Sequence, residues 1–415
     1  MTVPLEDVDL DDLDRFANDE AWGQFDTLRR DSPVHWTPSS LGDGYWSVTR
    51  YADIATVDRD PATFTSMKFV NLEDVDDDLQ DLRRSILETD GTRHTALRKL
   101  IQREFSARNL RQYEDFLRGL TRVTVDNALA LGGFDFVKEV SADFPIQVLA
   151  RLLDVPESDT GQLIDWGNQL IGNTDPDYSE FLLTDPGSDR YKHLPFRSPA
   201  SIEVFEYGRE LARERRGGDG RDLVSVLVNR VPEDGEPLTA TDFDNYFLLL
   251  VVAGNETTRH TISHAMHALI SNPAQLALLR DQPELIPGAV EEFLRWASPV
   301  YHFRRTATRD VELGGKQIRE GDKVVMWFAS GNRDDTVFDD PYRFDVTRKN
   351  VDHLSFGRGG PHLCLGNSLA RLEIRLMFEE LIPRITDAHL DGEVRRVRSN
   401  FVNGIKTLPV RLTPA

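Results

Sequence analysis

"HLSFGRGGPHLCLGNSLARLE", residues 353–373, contains Cys364, the only cysteine in a chain of 415 residues. A lone thiol forms no intrachain disulfide, so its use has to be sought elsewhere. The plainest use is as a small buried hydrophobe. Against that stand Gly357, Gly359, Gly360 and Gly366, the residue type a backbone needs where it turns sharply and approaches something closely. Structural zinc asks for four ligands, and there is no second cysteine. A catalytic thiol asks for a base held by a third group; His362 is two residues away, with no evident orienting partner. What is left is a single soft thiolate on a metal carried by an organic ring, that is, haem iron.

Working outward, the composition is that of an ordinary globular chain, 40% hydrophobic and 47.1 kDa. That is enough to bury a large core. A single cysteine fits a reducing compartment, so a cytoplasmic location is expected. With 70 acidic against 49 basic side chains, a net charge of −21, nucleic acid is an improbable partner, because phosphate binding needs a basic surface. The first twenty residues, "MTVPLEDVDLDDLDRFANDE", read as an acidic arm without the basic-then-apolar order of a secretory signal. The most apolar run, "YFLLLVVAG" at 246–254, is far shorter than the ~18 residues a membrane span requires.

No repeat or Gly/Ser linker divides the rest, so residues 21–415 are expected to form one domain, mainly α with small β-sheets. "PVHW", "GYWSVT", "VELGG" and "KVVMWFAS" read as short strands of alternating apolar and polar residues. Helical periodicity covers 93–104, 107–131, 139–153, 158–171, 199–216 and 239–270. The last opens with Thr239 and Asp242 in a capping arrangement and is apolar on every side at 247–253, so a long helix through the centre of the molecule is expected. Residues 174–198, with three prolines and a glycine, read as a long loop of the kind that forms lids. Residues 71–81, "NLEDVDDDLQD", read as a mobile solvated loop.

Two further features bear on chemistry. Glu256 and Thr257 follow the apolar run of the long helix, and an acid buried there needs a partner or a function. The small residues Ala253 and Gly254 just before them leave room for a flat ligand. Glu292 and Arg295 stand three apart, by itself an ordinary helical ion-pair spacing.

Taken in order, these pieces resemble the cytochrome P-450 family of haem-thiolate monooxygenases from about residue 20 to the C-terminus. "FGRGGPHLCLG" resembles the family's cysteine loop, "AGNETT" (253–258) its oxygen-activating motif, and "EEFLR" its Glu-x-x-Arg pair, completed by an arginine from "DPYRFDVTR". "HTALR" (94–98) is similar to the helix that holds a haem propionate. The resemblance implies a long central helix crossing over haem b, with Cys364 as axial ligand. It implies that Ala253, Phe356 and Gly366 pack around the haem and that His94, Arg98, Arg305 and His362 hold its propionates. Thr257 and Glu256 would manage dioxygen and protons, and Glu292 and Arg295 with Arg343 or Arg348 would form a structural network. An apolar substrate pocket is expected from Val252, Ala253, Val300 and Val402.

Phe356 to Cys364 is one residue longer than in most of the family, and Asn255-Glu256 departs from the commoner residue-then-Asp order. Both features are similar to an actinobacterial branch that oxidises terminal methyls of steroid side chains and methyl-branched lipids. The activity implied is insertion of one oxygen atom of O2 into a C–H bond of a steroid side chain, branched lipid or terpenoid by a monomeric enzyme. Electrons would come from a separate ferredoxin and its NAD(P)H-dependent reductase, with Arg358 and Arg108 as docking candidates. The alternatives are a peroxide-driven haem-thiolate enzyme, against which Glu256-Thr257 speaks, and a haem-thiolate sensor.

Overall fold

The computed structural model describes residues 3–415. Helices α1 (Tyr51–Arg59), α2 (Asp77–Arg83), α3 (Gly91–Gln102), α4 (Thr160–Ile171), α5 (Ala200–Arg215), α6 (Ala240–Ser271), α7 (Ile286–Ala297) and α8 (Asn367–Leu381) carry or flank the residues of interest. The expected central helix is α6. Thr239 caps it, its hydroxyl accepting from the amide of Asp242 while the Asp242 carboxylate accepts from the amide of Thr239. Its 32 residues span roughly 48 Å at ~1.5 Å each. Helices α4, α5, α7 and Asp143–Leu153 pack around it. α5 comes close because Gly208 has no side chain: a Cβ there would stand 2.6 Å from the Phe247 ring.

Strands β1 (Val34–Ser39), β2 (Gly42–Val48), β3 (Phe64–Thr65), β4 (His302–Ala307) and β5 (Lys323–Trp327) form a sheet in the order β1-β2-β5-β4-β3. β2 and β5 are parallel and the other pairs antiparallel. The alternating pattern expected for β5 is not what is found, because all five of its residues are buried. Val324 and Met326 enter one core cluster with Val48, Val57 and Phe64, while Val325 and Trp327 enter another with Phe16, Phe25 and Tyr45. A strand covered on both faces reads as a continuous apolar run. Phe328, Ala329 and Ser330, taken with that strand from sequence, belong to a short helix, Phe328–Gly331.

The N-terminal segment read as an arm contributes to that second cluster: Leu10 and Phe16 are buried, and the Phe16 ring meets Tyr301 edge-on at 4.9 Å. Its first two residues lie outside the described residues. Residues 71–81 are solvated at Asp74, Asp76, Asp77, Asp78 and Asp81 but not throughout. Leu72 and Glu73 are buried, Glu73 pairs with Arg83 and Arg197, Asp74 pairs with Lys323 and Arg304, and Asp77 begins α2. Of the six acids only Glu73 is buried, and its partner Arg197 comes from a distant segment, which sequence spacing cannot reveal. Residues 174–198 are turns and 3-10 helix, fastened at the base by Asp175, which accepts from Lys406 Nζ at 2.8 Å and from the amide of Arg398 at 2.9 Å.

Candidate active site

The cysteine loop is shaped by its contact with the end of α1. The Arg358 amide donates to Asp58 Oδ2 at 2.6 Å and Arg59 Nε donates to the Arg358 carbonyl at 2.8 Å. Gly357 and Gly359 have φ of +81° and +76°, where a side chain would be strained. A Cβ on Gly360 would run into the Asp58 carbonyl. After Gly359 and Gly360, which press against α1, the chain turns so that the Leu363 amide donates to the Gly360 carbonyl. The Cys364 amide donates to the Phe356 carbonyl at 2.9 Å, closing the loop.

Burial pushes the Cys364 thiol up, while amides of Gly366 and Asn367 and the guanidinia of Arg98 and Arg371 act in the opposite direction without overcoming it. A thiol so placed holds its proton until a cation replaces it. Phe356 is partly buried beside it, its ring 4.6 Å from the Arg371 guanidinium.

Four basic side chains expected from the sequence come together. His94 and His362 have ring centroids 4.3 Å apart. Burial, His362 and Arg98 hold the His94 ring down to about 4. His362 Nε2 lies 2.9 Å from Asp90 and 3.2 Å from Ser66 Oγ. Arg305 is buried 3.7 Å from Asp58. Its neighbour Arg304 points to the other face of β4, donating to the Glu73 carbonyl at 2.9 Å. Arg98 is half-buried, and among the described residues no carboxylate pairs with it.

On the far side, α6 is buried around Val251, Val252 and Glu256, yet Ala253 is exposed and Gly254 and Thr257 are partly so. An exposed alanine in the middle of the central helix marks a bare patch against an internal opening. Such a patch, a lone thiol and an Arg98 without a carboxylate partner among the described residues fit a flat, metal-bearing dianion such as haem. Among the described residues no three His, Cys, Asp or Glu side chains form a metal cluster of their own.

Thr257 Oγ1 donates to the Ala253 carbonyl at 3.0 Å. Glu256 is buried beside it and does not stand free. Arg259 Nη2 lies 3.0 Å and His260 Nε2 3.4 Å from its carboxylate, and the Asn255 amide donates to it at 3.2 Å. Burial pushes this carboxyl up, but Arg259 and His260 outweigh it and hold it below its ordinary value. Arg259 also reaches Asn168 on α4 at 2.9 Å and Tyr178 at 3.5 Å, so the acid is tied to the segment entering 174–198. The sequence reading missed Arg259, His260 and Asn168. The signal present was the spacing of four between Glu256 and His260.

Val252, Ala253, Val300 and Val402 line one cavity with Glu256 and Thr257, together with Phe69, Leu248, Leu249, Phe303 and Phe401. Val300 and Val402 are brought together by an isolated β-bridge. In the proximal network Arg295 Nε and Nη2 each donate to Glu292 at 2.7 Å. Arg348, not Arg343, completes it, with Nε 3.1 Å from Glu292. Arg343 faces Asp345 and is largely exposed, because only its carbonyl is turned toward Arg295 and Arg348.

The sequence profile of cytochrome P-450 matches residues 202–386. The chain is 37% identical over 420 residues to a methyl-branched lipid omega-hydroxylase of Mycobacterium tuberculosis, covering 98% of this chain and 95% of that one. The chain belongs to the cytochrome P-450 family. It is also 37% identical to a steroid C26-monooxygenase of Mycolicibacterium smegmatis, covering 100% of this chain and 96% of the other. A Mycobacterium marinum cytochrome P-450 solved in complex with pseudoionone superposes with a TM-score of 0.89 at 37% identity, covering 99% of both chains. This P-450 is a monooxygenase of a haem-thiolate family, and Cys364 is its only cysteine. No helix among its described residues is long and apolar enough to cross a membrane.

Proposed function

We propose that this P-450 inserts one oxygen atom of O2 into a C–H bond of an apolar substrate, a steroid side chain, branched lipid or terpenoid, with electrons from a ferredoxin and its NAD(P)H-dependent reductase. The observation that carries the reading is the meeting of the sole cysteine, in a loop closed by its own amide, with an Arg98 that no carboxylate among the described residues answers. Cys364 Sγ would hold the iron of haem b, and His94, Arg98, Arg305 and His362 would hold its propionates. The haem supplies the activation of dioxygen when bound.

The chain's own residues govern what reaches that centre. Val252, Val300 and Val402 bind the apolar body of the substrate and exclude water. The Thr257 hydroxyl spends its proton on the Ala253 carbonyl, so its oxygen is left to accept a hydrogen bond from water in the cavity. Glu256, charged and held by Arg259 and His260, takes a proton from the solvent side and passes it on through water. A partner that delivers electrons would find exposed Arg103, Arg108 and Arg111 beyond the end of α3, a basic patch on a molecule of net charge −21. That suits an acidic ferredoxin. Arg358 serves less well, because it pairs with Asp352.

The reduced, carbon monoxide difference spectrum of the purified protein tests the assignment. The strongly red-shifted Soret band of a thiolate-ligated haem is expected, and Cys364→His should remove it. A haem-replete protein without that band overturns the reading.

A further inference from the structure

On the outer side of the cysteine loop, α8 carries Asn367 and Arg371 four residues apart, on one face of the helix. Asn367 Nδ2 donates to the Cys364 carbonyl at 2.5 Å, and its Oδ1 accepts from Arg371 Nη1 at 3.2 Å. The side-chain amide is thus held from both ends, its donor on the cysteine residue and its acceptor on the guanidinium. Arg371 also stands against the ring of Phe356, whose carbonyl takes the Cys364 amide. One cation therefore supports the groups that meet Cys364 at its amide and at its carbonyl.

Opposite Arg371 lies Glu291 of α7, which accepts from Nε at 2.7 Å and from Nη2 at 2.9 Å. His353 Nε2 is 3.2 Å from the same carboxylate. The Ser355 amide donates to His353 Nδ1 at 3.1 Å, so the ring proton is on Nε2 and the imidazole adds no charge. Burial pushes the Glu291 carboxyl up, but His353 and Arg371 outweigh it and hold it down to about 2. Across neutral pH the cluster is one positive and one negative charge, and the positive member is the one bonded toward Cys364. Stability alone is a weak reason for the pair: the two side chains are 37% and 30% exposed, and ion pairs open to water contribute little.

We propose that Arg371, balanced by Glu291, is a positioning residue that sets the reduction potential of the haem iron by acting on Cys364. The inference rests on Cys364 being the axial ligand. Groups around an axial ligand tune the potential of the iron it holds. Reduction adds an electron to an iron that already bears a thiolate. A cation on the outer side of that thiolate favours the reduced state, and an anion beside the cation opposes it. Asn367 keeps the guanidinium at a fixed place relative to the cysteine, so the effect does not depend on a freely moving side chain.

Spectroelectrochemical titration of the haem-loaded protein without substrate tests this. Arg371→Leu is expected to shift the ferric–ferrous equilibrium about threefold to tenfold toward ferric, roughly 28 to 59 mV for one electron. Glu291→Gln should shift it by a similar factor toward ferrous. Arg371→Lys, which keeps the charge, should stay closer to the unaltered protein than Arg371→Leu does. A pair that only braces the fold moves both neutralised variants the same way or moves neither, and either result overturns the proposal. If Arg371→Leu does not retain haem, Glu291→Gln decides alone, and an unchanged or lowered potential in it is fatal. The carbon monoxide band of the unaltered protein separates this inference from the reading beneath it. With the band present and the potentials unmoved, only the role of Arg371 fails; with the band absent, the thiolate–haem assignment fails too.

Discussion

At the residue scale, Thr257 and Glu256 adjoin on α6 but do different work. Glu256 is locked into an ion pair with Arg259 and reaches α4 through it, whereas Thr257 is anchored only to its own helix turn. Removing the threonine hydroxyl therefore leaves the fold and the proximal loop untouched while taking away the acceptor nearest the exposed Ala253. Thr257→Ala is expected to keep its haem and its carbon monoxide spectrum. The share of NADH electrons recovered in product should fall several-fold and hydrogen peroxide should rise, measured by product and peroxide assays on the same turnover. Unchanged coupling would remove Thr257 from the proposed role. The sequence made Cys364, Thr257 and Glu256 visible because each breaks a local pattern: a lone thiol, and polar groups directly after an apolar run. It did not show Arg259 or His260, whose significance lies in the carboxylate they face.

Among the elements, α7 is joined to the segment before the cysteine loop by the Glu292 network. Arg295 is fully buried; beyond Glu292 it donates to the carbonyls of Asn332 and Pro341, both at 2.9 Å, and Glu292 also accepts from the Asp345 amide at 3.0 Å. A buried pair of this kind is costly to break from one side, since the remaining charge stays without a partner. Glu292→Leu leaves Arg295 and Arg348 facing each other and is expected to cost about 3–5 kcal/mol. The readout is the urea unfolding midpoint together with the haem content of the purified variant. The pair Glu292-x-x-Arg295 was legible as a helical spacing, but Arg343 and Arg348 were equivalent on paper. Only the course of the chain through Asp340–Asp345 turns one outward and the other inward.

For the whole molecule, several buried histidines make stability depend on pH. Burial holds the His302 ring down to about 4, with no carboxylate beside it and only the Asn400 carbonyl as partner, while His264 and His260 are also depressed, chiefly by burial. The His302 ring is neutral in the folded chain above about 4, whereas in the unfolded chain it takes up a proton near 6.5. The unfolded state therefore binds more protons as the pH falls, and the contribution present above 6.5 is lost progressively down to about 4. For His302 alone this loss is about 3 kcal/mol at most. Urea midpoints measured from pH 7.5 to 4.5 should fall, and His302→Phe should fall less steeply across the same window. An equal slope in the variant would show that other groups set the acid response.

Composition, the capped 239–270 periodicity and the glycine-framed Cys364 were enough, from sequence alone, to indicate a mainly helical chain, a helix through its centre and a single thiol for a metal. Each of these is a local property of residue type and spacing. Tertiary structure decided what depends on distant segments meeting. It made β5 a strand buried on both faces, drew Leu10 and Phe16 into the core, and bound Glu73 to Arg83 and Arg197 and Asp74 to Arg304 and Lys323. The same packing brought Asn168 and Tyr178 to Arg259, the partner of Glu256. Whether an acid is solvated or a polar atom lacks a partner depends on what another part of the chain places beside it, and sequence spacing carries no record of that.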